Sequence, residues 1–202
     1  MNLGLVTSFI IGGLLLLSIL TVNFRVSHSS AELTLSGNVK QHASAIADMV
    51  SHDVSKVGYN WMGKINNPII TADSNKFVFK VNIDNDNSNT VEQVTWEFGT
   101  AALTSTPNPN DMILNRMVTR DGTSVSNTDI KLGVTEFTVR YYSDVGSNTP
   151  MSTPVANPEN IRQVEIDLKV ETKQKFYTSS SSNGRFIVSS WQKRFSPINI
   201  QN

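Results

Sequence analysis

The sequence predicts an α+β protein, in which a long N-terminal helix, hydrophobic and then amphipathic, packs on a mostly antiparallel β-sheet head. Three observations carry that expectation. The chain is apolar and uncharged from Leu3 to Val22. Apolar residues then recur at three- and four-residue steps as far as Val57. From Trp61 onward that rhythm gives way to alternation, the period of strands. The expected organisation is a transmembrane helix over 1–25, an amphipathic helix joining span to head over 26–59, and a strand-rich globular head over 60–202.

The first element is "LGLVTSFIIGGLLLLSILTV". An apolar run of about 20 residues covers the ~30 Å hydrocarbon core of a bilayer as a helix. A cleaved signal peptide fits less well, because no basic stretch precedes the run and its length exceeds the ~7–15 residues of a typical signal core. Uniform apolarity on every side also suits lipid better than the edge of a small domain.

In the second element, Val39, Ala43, Ile46, Val50, Val54 and Val57 form one helical face. Lys40, Gln41, Ser44, Asp48, Ser51 and Lys56 fill the remainder. Gly37 and Asn38 mark a place where the two helices could break or bend, since glycine costs about 1 kcal/mol against alanine inside a helix. The expected stop is a Schellman motif with Gly58 left-handed at C′, Lys56 at the negative end of the dipole, and Tyr59 at C″ packing on Val54.

The head supplies the strands. "KFVFKVNI" sets Phe77, Phe79, Val81 and Ile83 against Val78, Lys80 and Asn82, and "VEQVTWEF" repeats the pattern with Val94, Trp96 and Phe98. "TEFTVRYYS" follows, and "RQVEIDLKVET" alternates Val164, Ile166, Leu168 and Val170 with Gln163, Glu165, Asp167, Lys169 and Glu171. One face is then buried and the other solvated. "FIVSSWQKRF" is a last strand, and Asp121-Gly122 after "MILNRMVT" is a hairpin signal. Roughly six to eight strands are expected from these patterns. The segment 143–160, with its prolines, reads as a long exposed loop and "TSSSSNGR" as a flexible tip. The stripe over 39–57 is the natural cover for the sheet's apolar face.

Composition narrows the function. Seventeen Lys+Arg against 17 Asp+Glu give a formal charge of +0, with no field to draw nucleic acid. The absence of cysteine removes thiolate catalysis and Cys-rich zinc sites. His28, His42 and His52 do not supply the three or four converging ligands that zinc needs. The turn Asp84–Ser88 starts like a calcium loop, but an EF-hand would want Gly at Asn89 and Glu at Thr95, so a plain hairpin turn is the better reading. No nucleophile elbow, zinc-protease helix or phosphate-cradling loop is present in the sequence. The expectation is a protein that is not an enzyme and takes no cofactor.

The order of these fragments resembles a known family. A helix ending "HDVSKVGY", the strands "VTEFTVRYY" and "IRQVEIDLKVET", and a terminal "WQKRFSPINI" are similar to minor pilins and pseudopilins of type IV pili and type II secretion systems. The likeness is greatest to PilW-like minor pilins and J-type pseudopilins. The family's Asp, basic, Gly-Tyr pattern falls on Asp53, Lys56, Gly58 and Tyr59. Its late Ile-Arg pair falls on Ile161 and Arg162, and its aromatic, Pro and Asn close on Phe195, Pro197 and Asn199. Where prepilins carry a basic leader ending in Gly and then a Glu, this chain has an uncharged Met1–Gly4 and Phe9 at the fifth residue after Gly4.

The resemblance implies a subunit held in the inner membrane with its head outside the cytoplasm. The partners it implies are other pilin-like subunits, an inner-membrane assembly platform and membrane lipid, with no nucleic acid. The residues expected to assemble are Leu5, Phe9, Ile10, Leu14, Leu17 and Leu20. Those expected to join helix to head are Val39, Ala43, Ile46, Val50, Val54, Val57, Gly58 and Tyr59. The alternative is a membrane-tethered extracytoplasmic binding module, with the loops 143–160 and 178–185 as its ligand surface.

Overall fold

The computed structural model describes residues 3–84, 90–178 and 181–200. A single α-helix, α1, runs unbroken from Leu3 to Ser55, 53 residues or about 80 Å. The break considered at Gly37 does not occur. Gly37 lies in open space and is flanked by long stretches of helix, so its local cost is carried by the turns on either side.

The strands are β1 (Ile69–Ala72), β2 (Lys76–Val81), β3 (Glu92–Ala102), β4 (Met112–Arg120), β5 (Thr123–Tyr142), β6 (Gln163–Glu171), β7 (Phe176–Thr178), β8 (Ser181–Arg185) and β9 (Val188–Phe195). Seven form one curled sheet in the order β1-β2-β3-β4-β5-β6-β9, every neighbour antiparallel. The hairpin β7–β8 stands apart as a two-stranded sheet. Residues 178–185 of this region were expected to be a flexible tip. Ser179 and Ser180 lie outside the described residues, and 181–185 is strand.

The curl is made at one residue. β5 pairs with β4 up to Met112↔Val134 and with β6 from Val134↔Val170, so it turns a corner there. Gly133 precedes the corner with φ 85°, and a Cβ would stand 2.2 Å from the Glu171 carbonyl oxygen. Only glycine accepts both conditions.

The C-terminal half of α1 fills the curl. Val39, Ala43, Ile46, Val50, Val54 and Val57 are all buried, as is Ala47, against Phe77, Phe79, Trp96, Phe137, Ile166 and Leu168 of the sheet. Each such aliphatic side chain contributes about 1.5–3 kcal/mol by leaving water. β9 runs alongside the helix, and the chain on either side of it also touches the helical segment, Arg185 at the end of β8 pairing with Glu32 and Asn199 Nδ2 donating to Val57 O.

Two expectations about exposure are corrected. The segment 143–160 is irregular but pinned down: Met151 N–H donates to Tyr141 O at 2.8 Å, Val155 N–H to Ala72 O at 2.9 Å, and Val155 is buried. The outer face of β6 is not simply solvated, because Gln163 and Glu165 are buried there.

Candidate functional site

The candidate functional surface is built on α1, whose two halves live in different environments. From Leu3 to Ala31 every residue is exposed, and Leu5, Phe9, Ile10, Leu14, Leu17 and Leu20 line a bare apolar rod. Phe9 is 74% exposed. The rod is long and apolar enough to cross a membrane. Its hydroxyls bond to its own backbone: Ser8 donates to Gly4 O at 2.9 Å, Ser18 to Leu14 O at 2.9 Å and Thr21 to Leu17 O at 2.8 Å. Over Leu3–Val22 the rod therefore presents almost no unmet polar group to an apolar neighbour.

Where α1 meets the head, Asp53, named in sequence only through the family's pattern, is a buried charge. Asp53 is 1% exposed and sits on the apolar stripe between Val50 and Val54. It accepts hydrogen bonds from Arg116 Nε at 2.6 Å, Arg116 Nη2 at 3.0 Å and Trp96 Nε1 at 3.0 Å. His52 Nδ1 lies 3.3 Å from its other side. The two-pronged guanidinium contact fixes geometry as well as charge. A signal was present: an acid on the buried face, in the last turn, opposes the helix dipole and needs a cation supplied from elsewhere.

The helix does not stop by the expected Schellman motif. Tyr59 N–H bonds to Lys56 O at 2.8 Å, while Gly58 N–H leaves the helix and donates to Lys80 O on β2 at 3.0 Å. Residues Lys56–Tyr59 form a four-residue turn with Gly58 at its third position, φ 75°, where a type II turn wants glycine. The strand captures the amide that a Schellman stop would have returned to the helix. A Cβ at Gly58 would also meet Asn199 Cβ at 3.0 Å and Pro68 Cβ at 3.2 Å. Lys56 Nζ reaches Ile83 O at 3.4 Å, and Tyr59 is half-buried against the core. The residues singled out near both ends of the head, Gly58 and Asn199, thus meet in space.

A second charged cluster crosses the outer face of β5, β6 and β9. Glu165 accepts from Arg140 at 2.9 Å, Arg194 at 2.8 Å, Tyr142 at 3.2 Å and Gln192 at 3.2 Å, and Arg194 lies over the Tyr142 ring at 3.8 Å. Burial opposes ionisation of Glu165, but the hydrogen bonds from Arg194 and Arg140 together outweigh it and hold the carboxyl below its usual range. These are cross-strand pairs set by register, Arg140↔Glu165 and Glu165↔Arg194, and they tie the sheet together.

Among the described residues no group of three or more His, Asp or Glu is placed to hold a metal. His28 faces Phe176, ring to ring at 6.3 Å, far along the helix from His52. Of the acidic turn Asp84–Ser88, residues 85–88 lie outside the described residues, and Asp84 itself is paired with Arg120. Neither a protein-family model, nor a curated protein, nor a solved structure matches the chain, so the exposed rod and its rigid junction carry the functional reading.

Proposed function

We propose that this chain is a non-enzymatic pilin-like subunit, a minor pilin or pseudopilin, inserted in a membrane and assembling through its N-terminal helix into a pilus or secretion pseudopilus. One observation carries the reading: a single helix, exposed and apolar over its first half, is locked into a folded head over its second. Bare apolar surface on that scale calls for a partner. Lipid and neighbouring apolar helices are equivalent partners to it, so the rod can exchange one for the other at small cost. The order of fragments in the sequence supports the family, and Phe9 in place of the family's Glu suits a subunit at a filament tip, with no subunit ahead of it to contact.

The test is recovery of the native protein from membranes. Copurification with pilin-like proteins or an inner-membrane assembly platform supports the reading, and a strictly monomeric protein that never does so sinks it. Intact mass adds a second measure, since cleavage after Gly4 with a modified amino terminus points to pilin processing.

A tethered binding module is favoured by a different feature, a cleft of about 750 Å³ beyond the end of α1, lined by Asn60, Lys64, Lys80, Gln93, Thr119 and Asp121. Removing the rod separates the two: a binding module keeps its ligand, whereas a filament subunit loses assembly.

A further inference from the structure

We propose that the cleft beyond the end of α1 binds a neutral saccharide, with Lys80, Gln93 and Thr119 as its floor and Trp61 as a stacking platform at its rim. The inference rests on reading that cleft as a binding site, and not on what covers the rod.

Strand register builds the floor. Lys80 on β2 stands opposite Gln93 on β3, which stands opposite Thr119 on β4, so the three side chains leave the same face of the sheet. Two strand spacings of about 4.8 Å make the row about 10 Å long. The core lies on the other face, where Phe79, Val81, Val94 and Val118 are buried. Asn60, Lys64 and Asn66 of the chain leaving α1 form a wall, and the β4–β5 turn adds Asp121. The enclosed space of about 750 Å³ falls within the ~300–1,000 Å³ of small-molecule sites.

The protein itself makes no use of these groups. Among the described residues, the side chains of Lys64, Asn66, Lys80, Gln93, Thr119 and Asp121 make no hydrogen bond or ion pair. The lysines donate, Asp121 accepts, and the amides and the hydroxyl do both. A sugar presents hydroxyls that each donate and accept, and a mixed row of this kind answers them. Two lysines against one carboxylate leave a single excess charge, too little to select an anion or a cation. Among the described lining residues only Ile65 and Val91 are aliphatic, and Ile65 is buried, which excludes an apolar ligand.

Trp61 supplies the complementary surface. It directly follows Asn60 of the wall and is 61% exposed. A bare indole offers a flat apolar face to the C–H side of a sugar ring. Position suits the task as well, because the end of α1 at Ser55 lies about 36 Å along the helix from Ala31, the last residue of the bare half. A bilayer around the rod leaves the cleft open to solvent.

The full-length chain is held in amine-oxide micelles, which carry no sugar headgroup, and titrated with cellotriose, maltotriose, chitotriose and the acidic trigalacturonate. Calorimetry gives the affinity and saturation-transfer NMR detects weak complexes. At least one neutral probe is expected to bind with a Kd of about 1 mM or tighter. Trp61→Ala and Gln93→Ala are each expected to weaken it about tenfold without moving the melting temperature, and Trp61 lies in an exposed turn where unfolding is no explanation for a loss. Tyr177→Ala, in the separate cleft with Pro107 and Phe186, is expected to change nothing. Failure of all three neutral probes to bind at about 10 mM overturns the proposal, as does binding that survives both cleft variants. Binding of trigalacturonate alone, lost in both variants, overturns the neutral ligand but keeps the cleft as a site, so the two failures are told apart.

Discussion

Arg116 holds Asp53 with two nitrogens, at 2.6 and 3.0 Å, and so bolts the last turn of the long helix to the middle of β4. The pair has an asymmetric consequence. A matched buried pair adds little net stability, but a widowed one is costly.

Asp53→Ala leaves Arg116 and the Trp96 N–H facing a dry gap, and is expected to cost about 3–5 kcal/mol. Replacing both partners, Asp53→Leu with Arg116→Met, is expected to cost clearly less than the single change. Chemical denaturation of the two variants followed by tryptophan fluorescence checks the order, and an equal loss in both would count against the bolt.

The glycines at the corner and the helix end are expected to rank by what a methyl group meets. Gly58→Ala faces a left-handed backbone costing about 1–2 kcal/mol and side-chain neighbours that can give slightly. Gly133→Ala carries the same backbone cost and drives into a backbone oxygen at 2.2 Å, which cannot yield without moving β6. Thermal melts are expected to show the larger drop for Gly133→Ala.

Two buried acids respond oppositely to pH. The Glu165 carboxyl is held below its usual value of 4.5, so its contribution is present above that value and is lost as pH falls through the lower folded pKa. Asp111 is fully buried, and neither carboxylate oxygen has a hydrogen-bond partner among the protein atoms. Burial pushes its carboxyl above 3.8, and the nearby Lys173 ammonium offsets only part of that. Its raised pKa contributes stability below 3.8 that disappears as pH rises through the folded value. At neutral pH Asp111→Asn is therefore expected to stabilise, raising the denaturant midpoint, because a buried charge is exchanged for a less costly buried amide. Glu165→Gln is expected to destabilise there and to flatten the acid limb. Denaturant midpoints measured across pH for both variants decide the signs.

Stability and assembly are expected to separate along one helix. Ile46→Ala, in the buried half, is expected to cost the head about 2–5 kcal/mol. Leu14→Ala, on the bare half, is expected to leave the head's melting unchanged and to weaken recovery in membrane or filament fractions. A fall in head stability from Leu14→Ala would contradict the division.

The parts of this architecture that were legible in sequence are those written in a local period. The stripe from Val39 to Val57 repeats every three or four residues, and it is buried as read. Phe77, Phe79, Val81, Val94 and Trp96 alternate, and they face the core. What the sequence hid are the pairings between distant residues. Asp53 and Arg116 are joined only once β4 is placed beneath the helix end. Alternation assigned Glu165 to solvent, and correctly to the outer face. It is buried because β9 and the end of β5 bring Arg194 and Tyr142 over it. Val78 is buried on the face opposite Phe77 and Phe79, which no period-2 rule anticipates. The stop at Gly58 was placed correctly, but its hydrogen bonds went to β2 because the sheet offered a better-placed carbonyl.

An unbroken helix with one half embedded beside β9 is also a mechanical element. Tension applied at the bare end has no hinge at Gly37 in which to dissipate. It enters the head along the helix axis and loads Val39, Ile46, Val50 and Val54 at once, together with the Asp53–Arg116 pair. Contacts loaded in parallel share the force, whereas contacts peeled from an edge fail one after another. Pulled from the rod, the head is expected to resist greater force in an optical trap than when pulled apart through β1 and β9, the two edges of its sheet.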